Sequence, residues 1–281
     1  MVLGVAQDGG LPHLGCEKPC CVEARRDGRR LDPACVGVRD LETGGLLMVE
    51  ATPGIERQAH RLRAVAGREG GGRNPVDAIL LTHAHIGHYA GLVHLGREVA
   101  SSRRLPVWTS PRMAAFLRAN GPWSQLVELD QIELHVFEPR VPFSPMPGLE
   151  VTAIPVPHRD EFSDTHAFKL RGPEGTLLFL PDIDRWEPAL LAELLDGVDR
   201  AYLDGTFYDG RELPGRDLSE IPHPPMVVTM DLCATQAAAA PGRLRFIHLN
   251  HTNPALRDRA ILDAVRSRGF AVAEEGERFR F

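Results

Sequence analysis

Three histidines fall within six residues, His83-Ala84-His85-Ile86-Gly87-His88, directly after the apolar run Val76-Asp77-Ala78-Ile79-Leu80-Leu81. That run follows Pro75 and is short, as a buried central strand is, and it ends at Thr82. Side chains alternate along extended backbone, so His83 and His85 point to the same side. His88 follows as the chain turns into a helix expected to begin near Tyr89. Solvated loop histidines have no need of a buried strand before them. Three imidazoles delivered to one strand end are suited to holding Zn, Fe, Mn or Ni.

The rest of the chain alternates strands and helices. Strand candidates are Val2–Ala6, Leu46–Glu50, Val151–Val156, Ala167–Leu170, Thr176–Leu180, Ala201–Leu203, Val227–Met230 and Leu244–Leu249. Helix candidates are Ile55–Val65, Pro188–Leu195 and Ala255–Ser267. Such alternation predicts an α/β sandwich whose sheets are covered on both faces. Gly67–Asn74 and Pro142–Gly148 are read as loops, and no repeat or long linker divides residues 1–281 into separate domains. In open α/β folds, ligands gather where the strands end.

Composition narrows the function classes. With 32 basic against 38 acidic residues, the net charge of −6 excludes the basic footprint of a non-specific nucleic-acid binder. No apolar run approaches the ~20 residues of a membrane helix. The opening Met1-Val2-Leu3-Gly4 lacks the basic and long apolar regions of a signal peptide, so a cytoplasmic protein is expected. Of five cysteines, three crowd into Cys16, Cys20 and Cys21. An odd, clustered set points to metal binding or thiol reactivity and away from a disulfide framework. Cys35 and Cys233 are read as small core residues.

The stretch Leu80 to His88 resembles the HxHxDH signature of the metallo-β-lactamase superfamily. The later parts of that pattern follow in order: His158 after a strand, Asp182 in Phe179-Leu180-Pro181-Asp182, and His248 after a late strand. The resemblance implies an αββα sandwich with metals at the strand-end edge. By the same resemblance, His83, His85 and His158 form one tripod. His88, Asp182 and His248 form the other, with Asp182 able to bridge. Asp184 is taken as a loop or capping residue, and His166 as a polar residue beginning a strand.

One position departs from the signature. Its aspartate is Gly87 here, so the second metal loses an anionic ligand and one dominant metal is expected. Asp160, Asp164 and Asp204 are the candidates to replace it.

Some relatives place a structural zinc on an N-terminal cysteine trio plus a late histidine. The resemblance therefore implies Cys16, Cys20, Cys21 and His251 as a structural Zn site that ties the first loop to the last strands. Tetrahedral zinc wants four such ligands.

Five blocks resemble the pyrroloquinoline quinone (PQQ) biosynthesis protein B family. They are Leu3 to Gly10, the cysteine trio, Leu203-Asp204-Gly205-Thr206-Phe207-Tyr208, Pro222-His223-Pro224-Pro225-Met226 and Phe246 to Pro254. That likeness puts Asp204 and His223 in the active-site pocket beside Asp182. It implies iron-dependent hydroxylation of a small or peptide-derived aromatic substrate. In that family the HxHxDH segment is itself degenerate, whereas His83 and His85 are intact here. Two other readings stand beside it: a metal-dependent phosphodiesterase or hydrolase of the tRNase Z and phosphonate-pathway kind, and a non-catalytic PQQ carrier. The partners these readings allow are the substrate and a second copy of the chain, as a homodimer.

Overall fold

Apolar runs whose successive residues are all buried need cover on both faces, and two stacked sheets between helices provide it. The computed structural model describes residues 1–68, 72–212, 215 and 222–281. One sheet has the order β1 (Val2–Gly4), β2 (Cys35–Arg39), β3 (Leu46–Val49), β4 (Ala78–Leu80), β5 (Leu105–Thr109), β6 (Ile132–Val136). Its first two pairings are antiparallel and the other three parallel. The second sheet runs from β7 (Phe143–Met146) through β8 (Leu149–Val156), β9 (Thr165–Arg171), β10 (Thr176–Leu180), β11 (Arg200–Asp204) and β12 (Leu244–Ile247) to β13 (Ala271–Val272). Strands β10 to β13 are parallel and β7 to β10 antiparallel.

The two-residue period sorts each run between two cores. In β3, Leu47 and Val49 face the second sheet, while Leu46 and Met48 face outward. In β10, Leu177 and Phe179 point inward, and Leu178 and Leu180 outward. Full burial of each such side chain contributes about 1.5–3 kcal/mol. The outer face of the first sheet is covered by α2 (Ile55–Ala66), α4 (Pro111–Ala119) and α5 (Trp123–Glu128). The outer face of the second is covered by α6 (Pro188–Leu195), α7 (Met226–Leu232), α8 (Ala234–Ala239) and α9 (Arg259–Ser267). Of the other α-helices among the described residues, α1 (Pro19–Arg26) follows the first loop and α3 (Ile86–Tyr89) follows β4. This is the expected αββα sandwich.

Several elements differ from the sequence reading. Val227–Met230 lies within α7 and is not a strand; its buried Met226, Thr229 and Met230 have i, i+3, i+4 spacing, which is helical. A four-residue apolar run cannot reveal that period by itself. Ala255–Ser267 is divided: Asp258 caps α9 by accepting hydrogen bonds from the amides of Ala260 and Ile261. Pro142–Gly148 contains β7, which turns at Gly148 (φ +70°) to pair with β8. The helix expected near Tyr89 starts at Ile86. Strands β2, β5 and β6 had no clear signal. Residues 69–71 of the Gly67–Asn74 stretch lie outside the described residues.

Candidate metal centre

The polar residues singled out above collect where the strands end. Thr82 and His83 follow β4, His158 follows β8, Asp182 follows β10, Asp204 ends β11 and His248 follows β12. The first loop joins them. Gln7 donates its amide to the Leu249 carbonyl at 2.8 Å, and Asn250 Nδ2 donates to Gln7 Oε1 at 2.6 Å. These bonds fix the N-terminal segment against the His248 turn.

Hydrogen bonds to Nδ1 decide which ring nitrogen each histidine offers. Glu50 Oε1 accepts from His88 Nδ1 at 3.2 Å. The Thr82 hydroxyl donates to Glu50 Oε1 at 2.5 Å, so at 2.9 Å it accepts from His83 Nδ1. Asp184 Oδ1 accepts from His158 Nδ1 at 2.7 Å. The Thr206 hydroxyl donates to Asp204 Oδ1 at 2.7 Å and accepts from His248 Nδ1 at 3.0 Å. In all four rings Nδ1 is engaged by a fixed oxygen, and Nε2 is the nitrogen turned toward the cluster. His85 is turned the other way: Nε2 meets Glu161 Oε2 at 3.2 Å, and Nδ1 lies 3.1 Å from His158 Nε2. Anchoring carboxylates of this kind are what a metal-ligating histidine needs behind it.

The free atoms converge in overlapping groups, each within 4.8 Å: His83, His85 and His158; His83, His88 and Asp182; Asp8, His88 and His248; Asp182, His223 and His248. Asp182 joins them. Its Oδ1 lies 3.7 Å from His158 Nε2 and its Oδ2 3.2 Å from His88 Nε2. His83 Nε2, His88 Nε2, His248 Nε2, Asp182 Oδ2 and Asp8 Oδ1 are all buried without a hydrogen-bond partner. Five orphaned buried polar atoms in adjoining groups would be costly as a structural feature. They fit divalent cations, whose bonds to imidazole and carboxylate are about 2.0–2.2 Å.

Protonation follows the same logic. Burial and the charge of His88 hold His83 well below the usual histidine range, against the pull of Asp182. Burial likewise lowers His158. Both are therefore neutral, the form that binds metal. For His88 burial acts downward, but Asp182, Glu50 and Asp8 outweigh it and raise its pKa well above the usual value. Burial would raise Asp182, yet His248, His88, His83 and His158 hold it below the ordinary carboxylate range. The cluster thus balances carboxylate charge with positive charge held among its imidazoles.

Asp204 and His223, paired by the sequence resemblance, lie in contact. His223 Nδ1 lies 2.7 Å from Asp204 Oδ2, and both side chains are buried. Burial lowers the His223 pKa, but Asp204 more than offsets this and leaves it raised. Asp184 is more than a loop residue, since it anchors His158. Glu50 was missed, although a carboxylate ending the apolar Leu46–Val49 run is an unusual signal. It is fully buried at φ +86°, a conformation that non-glycine residues rarely adopt. His166 is buried near the start of β9, with neither ring nitrogen hydrogen-bonded.

None of the three aspartates expected to replace the one absent at Gly87 does so. Asp160 pairs with Arg112 at 3.1 Å on the surface, Asp164 accepts from Ser110, and Asp204 is committed to His223 and Thr206. The carboxylate beside Gly87 is that of Asp8, whose Oδ1 lies 3.3 Å from His88 Nε2.

Away from this centre, α1 presents Cys20 and Cys21 to the first loop. Sulfurs of Cys16 and Cys21 and a His251 ring nitrogen lie within 4.8 Å of one another. Cys20 Sγ is 4.0 Å from Cys21 Sγ but is not part of that group. His13, which gave no sequence signal, packs its ring 4.7 Å from that of His251 and donates its amide to Cys21 Sγ. Burial, with the neighbouring His13, lowers the His251 pKa to about 4. Cys35 and Cys233 are buried in the cores, as expected.

A family model described as the β-lactamase superfamily domain matches residues 47–278. The chain belongs to this superfamily and has its metallo-β-lactamase fold. Within the superfamily, coenzyme PQQ synthesis protein B of Methylobacterium radiotolerans is 27% identical over 297 residues, covering 98% of this chain and 97% of its own. The crystal structure of Zn(2+)-bound PqqB from Methylobacterium extorquens superposes with a TM-score of 0.83 at 22% identity, over 100% of this chain and 99% of that one. A diphosphatase from the PhnP family follows with a TM-score of 0.72 at 21% identity, over 99% and 94%. At these identities the two structures show a common fold. Among the described residues no helix is long and apolar enough to cross a membrane.

Proposed function

We propose that this protein is a metal-dependent hydrolase with two adjoining cation half-sites, acting on small phosphodiesters or phosphoanhydrides. One observation carries the reading: the Asp182 carboxylate is shared between the His83–His85–His158 group and the His88–His248 side. A pair of divalent cations held there would supply Lewis acidity and lower the pKa of water toward neutrality. The chain's own residues do the rest. Asp184, Thr82, Glu50 and Thr206 fix the orientations of His158, His83, His88 and His248. Asp204 keeps a proton on His223, from which Nε2 can protonate a leaving oxygen. The diphosphatase among the structural neighbours is consistent with this class.

The test is turnover of bis(p-nitrophenyl) phosphate and of a dinucleoside diphosphate by Zn- or Mn-loaded protein. Turnover should be lost in Asp182→Asn. No turnover of either substrate with any of these metals would overturn the reading.

A second reading rests on the whole-chain similarity to coenzyme PQQ synthesis protein B: metal-dependent hydroxylation of a peptide-derived aromatic ring. Anaerobic purification that retains iron, together with oxygen consumption on adding such a substrate, would favour it over hydrolysis.

A further inference from the structure

We propose that Asp8 is the carboxylate ligand of the second half-site, filling from the first loop the place that the HxHxDH signature leaves at Gly87. The inference rests on the metal-centre reading and is independent of which reaction the centre performs.

Three observations carry it. First, Asp8 Oδ1 lies 3.3 Å from His88 Nε2 and 3.7 Å from His248 Nε2, and the three residues form one of the groups able to hold an ion. Second, these atoms are buried, and none has a hydrogen-bond partner. A carboxylate oxygen and two imidazole nitrogens that meet without bonding to one another are donors lacking a common acceptor. A cation supplies it.

Third, Gly87 and Asp8 exclude each other. A Cβ on Gly87 would come 2.0 Å from Asp8 Oδ1, 2.6 Å from its Cα and 2.7 Å from its Cγ. Approaches that short, one of them to backbone, are relieved only if the Gln7–Gly10 turn moves. Gly87 lies within α3 and is not among the glycines with positive φ, so backbone conformation does not require glycine here. The space taken by Asp8 does. The loss of a side chain at 87 and the arrival of a carboxylate from residue 8 are two sides of one exchange, and the anionic ligand is moved to another part of the chain.

The loop is built to hold Asp8 in place. The Gln7 amide donates to Leu249 O, the Leu249 amide to Val5 O, and the Gly10 amide to Gln7 O at 2.7 Å. Asp8 is thus tied to the same turn that carries His248, and both approach the ion from one rigid unit.

The alternative is an ion pair between Asp8 and a protonated His88 with no part in metal binding. Elemental analysis of full-length protein loaded with Zn(II) and desalted distinguishes the two. Asp8→Asn keeps the shape of the side chain and removes its charge. It should lower zinc content by one ion per chain, or weaken binding of the last ion in chelator competition by at least the roughly 10–100-fold that loss of an outer-shell partner alone causes. Gly87→Ala removes no ligand, yet should produce the same loss by displacing Asp8. Circular dichroism and melting curves confirm that each variant is folded, and the d–d bands of Co(II)-loaded protein report the ligand change directly. Unchanged zinc content and affinity in a folded Asp8→Asn variant would overturn the proposal. So would a wild-type protein that takes up only one ion at the histidine cluster.

Discussion

Glu50 Oε1 lies 3.2 Å from His88 Nδ1, with both side chains buried. Glu50 sits at backbone φ +86°. The Thr82 hydroxyl, 2.5 Å from the same oxygen, links the pair to His83. One carboxylate therefore sets the tautomer of two histidines, on either side of the Asp182 position. Burial raises the Glu50 pKa, opposed chiefly by the positive charge of His88. Glu50→Gln keeps the shape and removes the charge that makes His88 a strong donor. It should weaken metal binding about 10–100-fold in chelator competition while the protein stays folded. Equal affinity would show that Glu50 serves packing alone.

The tripod makes a separate prediction. His85 is only partly buried, and its ring meets Glu161, His158 and the edge of His83 and none of the apolar core clusters. His85→Ala should therefore remove one ion by elemental analysis and shift the melting temperature of chelator-treated protein by no more than about 1–2 °C, as a change of about 0.5 kcal/mol does in a chain of this size. Retained occupancy would remove His85 from the ligand set.

Cys21 belongs to the group with Cys16 and His251 and is fully buried. Cys21→Ser should remove a chelator-resistant zinc and lower the melting temperature, because structural zinc contributes folding free energy directly. Acid should act here too. In the fold His251 stays neutral down to about pH 4, whereas in the unfolded chain it takes a proton near pH 6.5. Its folded pKa is depressed, so its contribution to stability is complete above about pH 6.5 and is lost as pH falls toward 4. His251→Gln should flatten the decline in melting temperature across that window, measured on chelator-treated protein. An unchanged slope would mean that other groups set it.

How much of this could be read beforehand depends on sequence distance. The double burial of β3, β4 and β10 is written in continuous apolar runs, and His83, His85 and His88 declare themselves within six residues. Candidate ligands carried by single residues, such as His158 and Asp182, are visible only through the order of a family pattern. Asp8 gave no local signal. Its meaning lies in the steric exclusion between it and Gly87, which a linear reading cannot detect across about eighty residues. Val227–Met230 carries β-branched residues that favour strands, while burial every third or fourth residue belongs to the packing of α7.

The His223–Asp204 pair predicts a pH profile. Asp204 Oδ2 lies 2.7 Å from His223 Nδ1 and raises its pKa against the effect of burial. A general acid must be protonated to act, so activity should fall as pH rises through that pKa. Asp204→Asn removes the charge that favours the protonated ring. The basic limb of kcat against pH should then move to lower pH, and kcat should drop about 10²–10⁴-fold if proton transfer is part of the slow step. An unmoved basic limb would assign it to another group.

Gly87→Asp restores the letter of the HxHxDH signature, and sequence alone would expect it to add a metal. The geometry predicts otherwise. The new Cβ would come 2.0 Å from Asp8 Oδ1 and 2.6 Å from Asp8 Cα, so the introduced carboxylate and Asp8 compete for one place beside His88. Either the introduced side chain displaces Asp8 and takes over its role, or the Gln7–Gly10 turn shifts and strains its bonds to Leu249. In both cases zinc per chain should not exceed the wild-type value. The melting temperature should also fall, because overpacking at so short an approach costs about 1–3 kcal/mol. Replacing Asp8 by glycine at the same time should recover part of that loss. It should not recover all of it, since the new side chain still meets the backbone of residue 8. A rise in zinc content for Gly87→Asp alone would show that the space beside His88 is open, and that Asp8 does not hold it.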